Sequence, residues 1–361
     1  MKIAQVSTVV CQCGIATYTG FLSEALIKLG HEVMIFGEKK GGDAPCSVPY
    51  KVCYKREDND SYIQLRDEID AWRPDIVHVQ YEWALHMTDG LIWELGRPRQ
   101  HFMTWHNVVP DQKSYFYGHL ADRHIVHNDP CKAVLNNHLS TMSKVIPHGT
   151  RKNEITETSK AKEMLGIDPS KKVIGIYGFV SPRKGHHILL GNLERIQKYC
   201  PGAVLMFIGG PHPLGSGADN YVKLMKVASE KYPEDVIMTG YLENEKTTDL
   251  WLSATDMVMF PHIGGQELIS ASGSVRRTID HGKLLAVTDI PFYSEFTPDM
   301  CLRIPTQESF LTLGRWIGRN LAKSDSPEMM ALRANLKLYA RETYWEKVAR
   351  KHVDYYLEAL S

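Results

Sequence analysis

The feature that most limits how this chain can fold is a rhythm of short apolar runs alternating with longer amphipathic stretches. "KIAQVS" reads as a strand, and "IATYTGFLSEALIKLG" after it reads as a helix. In that helix Tyr18, Leu22, Ala25, Leu26 and Leu29 recur at helical spacing, and Gly30 ends it. "HEVMIFG" is the next strand, "SYIQLRDEIDAW" a helix that stops before Pro74, and "DIVHVQ" a strand. "HFMTW", "HIVHN" and "KVIPHG" are further short strands separated by helix-sized segments. Strands alternating with helices in this way predict a mostly parallel α/β sheet.

The rhythm then breaks and restarts. "GTRKNEITETSKAKEMLGIDPSKK" is polar and rich in turn residues, which places a boundary within residues 150–170. "KVIGIYGF" opens a second series. It continues through the helix "GHHILLGNLERIQKY", the strand "AVLMFIGG", a helix near 218–231, "DVIMTG", the helix "EKTTDLWLSA", "DMVMFP", a helix near 273–281 and "LLAVTD". "YWEKVARKHVDYYLEAL" is a long amphipathic helix at the end. A chain of 361 residues has room for about two such domains. The expected division is a Rossmann-like domain over 1–155, a second over 156–342, and a final helix over 343–361 that packs back on the first. Open α/β sheets bind ligands beyond the carboxyl ends of their strands, so two in series predict a central cleft faced by both.

Several function classes are disfavoured. Lys and Arg (42) balance Asp and Glu (42), and no block of like charge occurs, which argues against a protein that coats nucleic acid. The seven cysteines are scattered, as expected in a reducing compartment rather than in a disulfide framework. "MKIAQVSTVV" enters a strand directly, too briefly for a signal-peptide core, and no run is apolar enough to span a bilayer. A cytoplasmic protein is expected, with work at a membrane face compatible with that. No CxxC, HExxH or GxSxG motif appears, so neither a metal site nor a serine-hydrolase elbow is predicted. Asp58 and Asp60 in "EDND" have the spacing of a DxD pair but stand in a polar stretch before a helix, where a solvated loop is expected.

Candidate chemistry lies in the loops after strands. In "VVCQCGIATYT", Gly14 begins the first strand-to-helix turn, where a glycine permits close backbone approach and free helix N–H groups favour an anion. Cys11 and Cys13 have no companion at ligand spacing. His106, just past "HFMTW", could hydrogen-bond a sugar hydroxyl or a phosphate, or be satisfied locally. His148 and Gly149 in "VIPHG" read as a turn. In "GFVSPRKG", Arg183 and Lys184 put adjacent cations at a strand-to-helix junction, a pattern suited to a diphosphate. His186 and His187, which follow, point apart on a helix and read as surface or packing residues. In "ISASGSVRRTIDHGK", Ser272, Gly273 and Ser274 could cradle a phosphate or simply cap the helix.

Taken in order, these segments resemble the GT4-type retaining glycosyltransferases of the GT-B fold. "CGIATYTGFLSEAL" is similar to the family's opening loop and helix, "PDIVHVQYEW" to its next strand, "TWHN" to its T-x-H segment and "VIPHG" to its domain-closing motif. "GFVSPRKG" is similar to its lysine-bearing loop, "TGYLENEKTTDLWLSATDMVMFP" to a block of its second domain, and "YWEKVARKHVDYY" to its last helix. The resemblance implies retaining transfer of a sugar, without a metal or cofactor, from a UDP- or GDP-linked donor to a glycan, lipid or other acceptor. It implies that Gly14 lies near the diphosphate or acceptor and His106 beside the transferred sugar. It implies that Lys184 grips phosphate, that Ser272, Gly273 and Ser274 hold the diphosphate and sugar, and that Tyr241 is on the donor side.

Two departures stand out. Phe179 occupies the place where the family often has arginine, and Arg183 is the candidate to replace that charge. The family's paired glutamates, counted back from Gly282, are Ile269 and Arg277 here, and Glu267 has no partner at the right spacing. The ribose therefore loses its usual carboxylate, and Arg277 is expected to contact phosphate instead. Two other readings stay open: a catalytically weak nucleotide-sugar-binding or partner subunit, and a glycosyltransferase acting on DNA bases, against which the neutral charge counts.

Overall fold

Every strand of the first series enters one sheet. In the computed structural model, which describes residues 1–39, 43–56, 58, 60–82, 100–108, 121–135, 137–212, 217–264, 269–305 and 310–361, the chain divides into two compact units. The first comprises Met1–Gly149, a stretch ending at Gly273, and Thr343–Ser361. Its elements are β1 (Lys2–Thr8), α1 (Gly14–Lys28), β2 (Glu32–Glu38), β3 (Tyr50–Val52), α2 (Asp60–Trp72), β4 (Ile76–Tyr81), β5 (Gln100–Trp105), β6 (Asn107–Val108), β7 (Arg123–Val126), α3 (Asp129–Val134), α4 (Asn137–Thr141) and β8 (Ser143–Val145). The strand order is β3-β2-β1-β4-β5-β7-β8, parallel throughout.

Strand alternation gives this sheet two unlike faces. Ala4, Val6, Val77, Val79, Met103 and Trp105 point into one apolar core with α2. On the other face Ile3, Ile76, Phe102 and Ile125 pack against α1 and the C-terminal helix. Toward the carboxyl ends that second face turns polar while staying buried. Gln80 bonds Gln5 at 2.8 Å, Ser7 bonds Thr19 at 2.7 Å, and His78 bridges Thr104 at 2.7 Å and Tyr356 at 2.6 Å. These buried side chains bond one another, as burial favours.

The second unit comprises Thr150–Gly265 and Ser274–Glu342. It holds α5 (Thr158–Met164), β9 (Val173–Tyr177), α6 (His186–Tyr199), β10 (Val204–Ile208), α7 (Ala218–Ser229), β11 (Val236–Gly240), α8 (Glu245–Ser253) and β12 (Met257–Phe260). After the two-residue β13 (Ile269–Ser270), which belongs to the first unit and pairs antiparallel with β6 there, come α9 (Gly273–Thr278), β14 (Leu284–Thr288), β15 (Leu302–Ile304), α10 (Phe310–Ala322) and α11 (Pro327–Glu342). The sheet order is β11-β10-β9-β12-β14-β15, again all parallel. Both sheets are thus the doubly wound α/β type predicted from the rhythm. The order reverses between β1 and β4 in one and between β9 and β12 in the other.

Some elements differ from the sequence reading. The helix expected near 273–281 ends at Thr278 and tightens to a 3₁₀ turn over Ile279–His281 before Gly282 at φ 64°. Helices α10 and α11 were not anticipated. α10 carries Gly314 and Gly318 one turn apart, and a methyl at either would fall closer than 3.0 Å to atoms of α6, so these glycines let the two helices meet. The last helix, α12 (Trp345–Leu360), buries Trp345, Val348, Ala349, His352, Tyr355 and Tyr356, a stripe at helical period that lies against α1 in the first unit.

Candidate functional site

In the first unit the loop after β1 runs through Val10, at φ 48°, to Cys13, the N-cap of α1. Gly14 is exposed, and a methyl on it would meet nothing within 4 Å, so packing does not demand a glycine there. The Cys13 thiol is brought down to about 5 by its bond with Cys11, against burial, with help from the backbone N–H groups of Ala16 and Ile15 and the Thr8 hydroxyl. That is a thiolate environment at a helix start. Among the described residues no group of three His, Cys, Asp or Glu is placed to hold a metal ion.

His106 lies at the carboxyl end of β5, where the polar row of the sheet ends. Its Nε2 is 3.0 Å from Gln80 Oε1, and its Nδ1 is 3.4 Å from Nε2 of His127, whose own Nδ1 faces the Ile146 carbonyl at 3.2 Å. A sugar hydroxyl reaching a ring nitrogen of His106 would take the place of Gln80 or His127. The ring of Tyr18, buried on α1, packs against His106 at 4.6 Å, His148 at 5.0 Å, His127 at 5.3 Å and Trp345 at 5.0 Å. His148, read from the sequence as a turn residue, is therefore part of an aromatic cluster. The Ser270 hydroxyl donates to the His106 carbonyl, and Asn128 Nδ2 to the Ser270 carbonyl at 3.0 Å. Ser272 is buried, and Gly273 is exposed with its Cβ position 3.5 Å from His148 Nε2.

In the second unit the sequence-predicted cations stand at the topological switch point. Gly178 follows β9 at φ 111°, and a side chain there would fall closer than 3.0 Å to Lys184 Nζ and Ser274 Oγ. Gly209, after β10 at φ 146°, closes against the Gly178 carbonyl in the same way. The bare backbone leaves room for the Lys184 ammonium, which donates to Ser274 Oγ at 2.9 Å and the Tyr177 carbonyl at 3.3 Å. No carboxylate pairs with it among the described residues. Loss of hydration, and then the neighbouring Arg183, bring Lys184 down to about 8. Arg183 is exposed, and its carbonyl accepts from Ile263 N at 2.9 Å. His262, past β12, is brought down to about 3 by burial, Lys184 and Arg183. Two cations that no carboxylate pairs among the described residues, beside a hydroxyl and a glycine backbone, form an arrangement that favours an anion.

Arg277 is placed differently from the phosphate contact expected of it. Its Nη1 is 2.5 Å from Asp249 Oδ1 and also bonds Asn153 Oδ1, and its Nη2 is 2.7 Å from Glu245 Oε2. Both terminal nitrogens are engaged by carboxylates, so it is not a free cation. Tyr241, after β11, is exposed, and its ring lies 12° from parallel with that of Phe179 at 6.4 Å between centroids. Glu245 was not singled out from the sequence, and neither was His127. Glu267 lies outside the described residues.

Two doubly wound parallel sheets in one chain are the architecture of the GT-B class of fold. Solved structures agree. Sucrose-phosphate synthase from Thermosynechococcus elongatus superposes with a TM-score of 0.77 at 19% identity over 100% of both chains. A glycosyltransferase from Rickettsia africae gives 0.77 at 15% over 100% of this chain and 98% of its own. Anabaena HepE in complex with UDP-glucose gives 0.71 at 16% over 100% and 99%. At such identities these likenesses show the fold. The family resemblance is borne out in sequence over part of the chain: residues 13–151 match the model described as Glycosyltransferase Family 4. A stretch of 93 residues is 31% identical to YtcC of Bacillus subtilis, which carries a provisional glycosyltransferase name. The match covers 26% of this chain and only 23% of YtcC.

Proposed function

We propose that the chain is a metal-independent retaining glycosyltransferase that moves a sugar from a UDP- or GDP-linked donor to a hydroxyl of a glycan, lipid or other acceptor. The observation that carries this is Lys184, an ammonium that no carboxylate pairs among the described residues, held beside Ser274 at the carboxyl end of β9. In this reading the second unit takes the donor. Lys184 and Arg183 neutralise the diphosphate as it leaves, the role cations play wherever negative charge develops. Ser274 donates to the same group, with Ser272 and Gly273 close by in sequence. The first unit takes the acceptor near Gly14, and His106 orients the donor sugar. Transfer on the front face, with the departing phosphate oxygen taking the acceptor proton, requires no protein nucleophile. The UDP-glucose complex of HepE supports a nucleotide-sugar donor. No helix among the described residues is long and apolar enough to cross a membrane, which accords with cytoplasmic work at or away from a membrane face.

The test is a turnover assay with UDP-, GDP-, ADP- and CDP-sugars, with the anomeric configuration of the product read by NMR. Nucleotide release with retention is expected for one donor, and inversion would exclude the mechanism. The absence of glutamates at Ile269 and Arg277 favours one second reading, a binding subunit. Tight donor binding without turnover across a broad acceptor panel would select it.

A further inference from the structure

Glu245, the first residue of α8, carries a carboxylate that two arginines hold. Asn244 caps this helix, its side chain accepting from Lys246 N at 2.8 Å and Thr247 N at 3.3 Å, which fixes where Glu245 starts. Two guanidinium groups then hold one of its carboxylate oxygens. Oε2 receives Arg277 Nη2 at 2.7 Å and Arg151 Nη1 at 2.9 Å, while the Glu245 carbonyl receives Arg277 Nη2 at 3.2 Å. The other oxygen, Oε1, has no partner among the described residues, and the side chain is 49% exposed. A carboxylate fixed through one oxygen and open at the other is a pre-oriented acceptor for a hydroxyl.

Its position relative to the anion site follows from α9. Ser274 and Arg277 are three residues apart on that helix, hence neighbours on one face at about 5–6 Å. Ser274 touches Lys184, and Arg277 touches Glu245. Tyr177, the last residue of β9, feels Arg277, Glu245, Tyr241 and Asp249, and its carbonyl accepts from Lys184. The Lys184 site, the open Glu245 oxygen and the near-parallel rings of Phe179 and Tyr241 are thus linked through α9 and the end of β9. A nucleoside diphosphate presents the matching series: charge, vicinal hydroxyls, a flat base.

We infer that Glu245 Oε1 accepts a hydrogen bond from a ribose hydroxyl of the donor nucleotide. In this arrangement Arg277 and Arg151 act as positioning residues that hold the carboxylate, and the base lies toward Phe179 and Tyr241. Arg277, balanced by Glu245 and Asp249, is then not a phosphate ligand. The inference rests on the nucleotide-sugar reading above and adds to it the residue that reads the sugar ring of the nucleotide.

The test is a double cycle across protein and ligand. UDP and GDP, and their 2′,3′-dideoxy counterparts, are titrated calorimetrically into the wild-type chain, Glu245→Gln and, as a control, Glu243→Gln. A hydrogen bond to a charged group predicts that the dideoxy ligand binds the wild type at least about tenfold more weakly than its ribose parent. That ratio should fall toward one in Glu245→Gln and persist in Glu243→Gln. Where the Gln variant melts early, Glu245→Asp keeps the charge facing both arginines, and the ratio should still drop. Equal binding of ribose and dideoxy ligands to the wild type, or an unchanged ratio in the Glu245 variants, overturns the inference and leaves nucleotide binding intact. Failure of both UDP and GDP to bind the wild type overturns the nucleotide-sugar reading itself.

Discussion

Lys184 ties donor binding to pH with a sign and a size. Burial and Arg183 bring its ammonium down to about 8 in the ligand-free protein. At pH 7 about nine-tenths of the molecules then carry the charge, and at pH 9 about one-tenth. The diphosphate of a nucleotide-sugar does not titrate in this range. If only the charged lysine grips it, affinity falls about tenfold between pH 7 and pH 9, and binding at pH 8.5 takes up about three-quarters of a proton. Calorimetry in buffers of different ionisation enthalpy reads both quantities. Loss of fold cannot mimic the effect through this residue. An unfolded lysine holds its proton to about pH 10.4, so the unfolded state binds more protons above pH 8 and the Lys184 contribution to stability rises with pH. Lys184→Arg, whose charge does not titrate, should give a flat profile. A wild-type affinity unchanged from pH 7 to pH 9, or the same fall in Lys184→Arg, refutes the reasoning.

Further outcomes follow from the same geometry. Gly178→Ala puts a methyl at φ 111° against Lys184 Nζ and Ser274 Oγ, and should cost about 1–3 kcal/mol of stability, by urea denaturation, and weaken nucleotide-sugar binding. Asp249, 1% exposed, is pushed up by burial but held at about 2 by His281 and Arg277. Its contribution is present above the ordinary carboxylate value and lost as pH falls toward 2, so Asp249→Asn should lose about 3 kcal/mol at pH 7 and converge with the wild type in acid. Cys13 should react with iodoacetamide at pH 6.5 faster than Cys53 or Cys301, whose thiols burial pushes up to about 11, and Cys11→Ser should slow it.

What the sequence disclosed and what it concealed divide along physical lines. Both parallel sheets were legible because their strands, such as β12, which is apolar and buried along its whole length, and β4, where only His78 and Gln80 interrupt the apolar residues, are short apolar-rich runs bounded by turn residues. The Gly178–Lys184 loop stood out because a glycine and adjacent cations follow a strand there, and the structure places Lys184 against Gly178 and Ser274. The β6–β13 pair was not, since two-residue strands carry no period, and its partners Val108 and Ile269 are 161 positions apart. The cluster of Tyr18, His106, His127, His148 and Trp345 draws on five separate stretches of chain, and no local pattern announces it. Arg277 shows the same limit from the other side. Its spacing to Gly282 was readable, but its engagement by Glu245 and Asp249 on another helix depends on packing alone. The glycine pair Gly314 and Gly318 was readable in principle, since its four-residue spacing is a known sign of close helix contact.

The central claim is that the second unit holds a nucleotide-sugar through Lys184. Its most direct test is equilibrium binding of UDP- and GDP-sugars to the wild type and to Lys184→Met at pH 7. The account predicts that at least one donor binds the wild type and that the variant, with its melting temperature unimpaired, binds that donor at least about tenfold more weakly. Equal binding to both proteins, or no binding of any sugar nucleotide to the wild type, would contradict it.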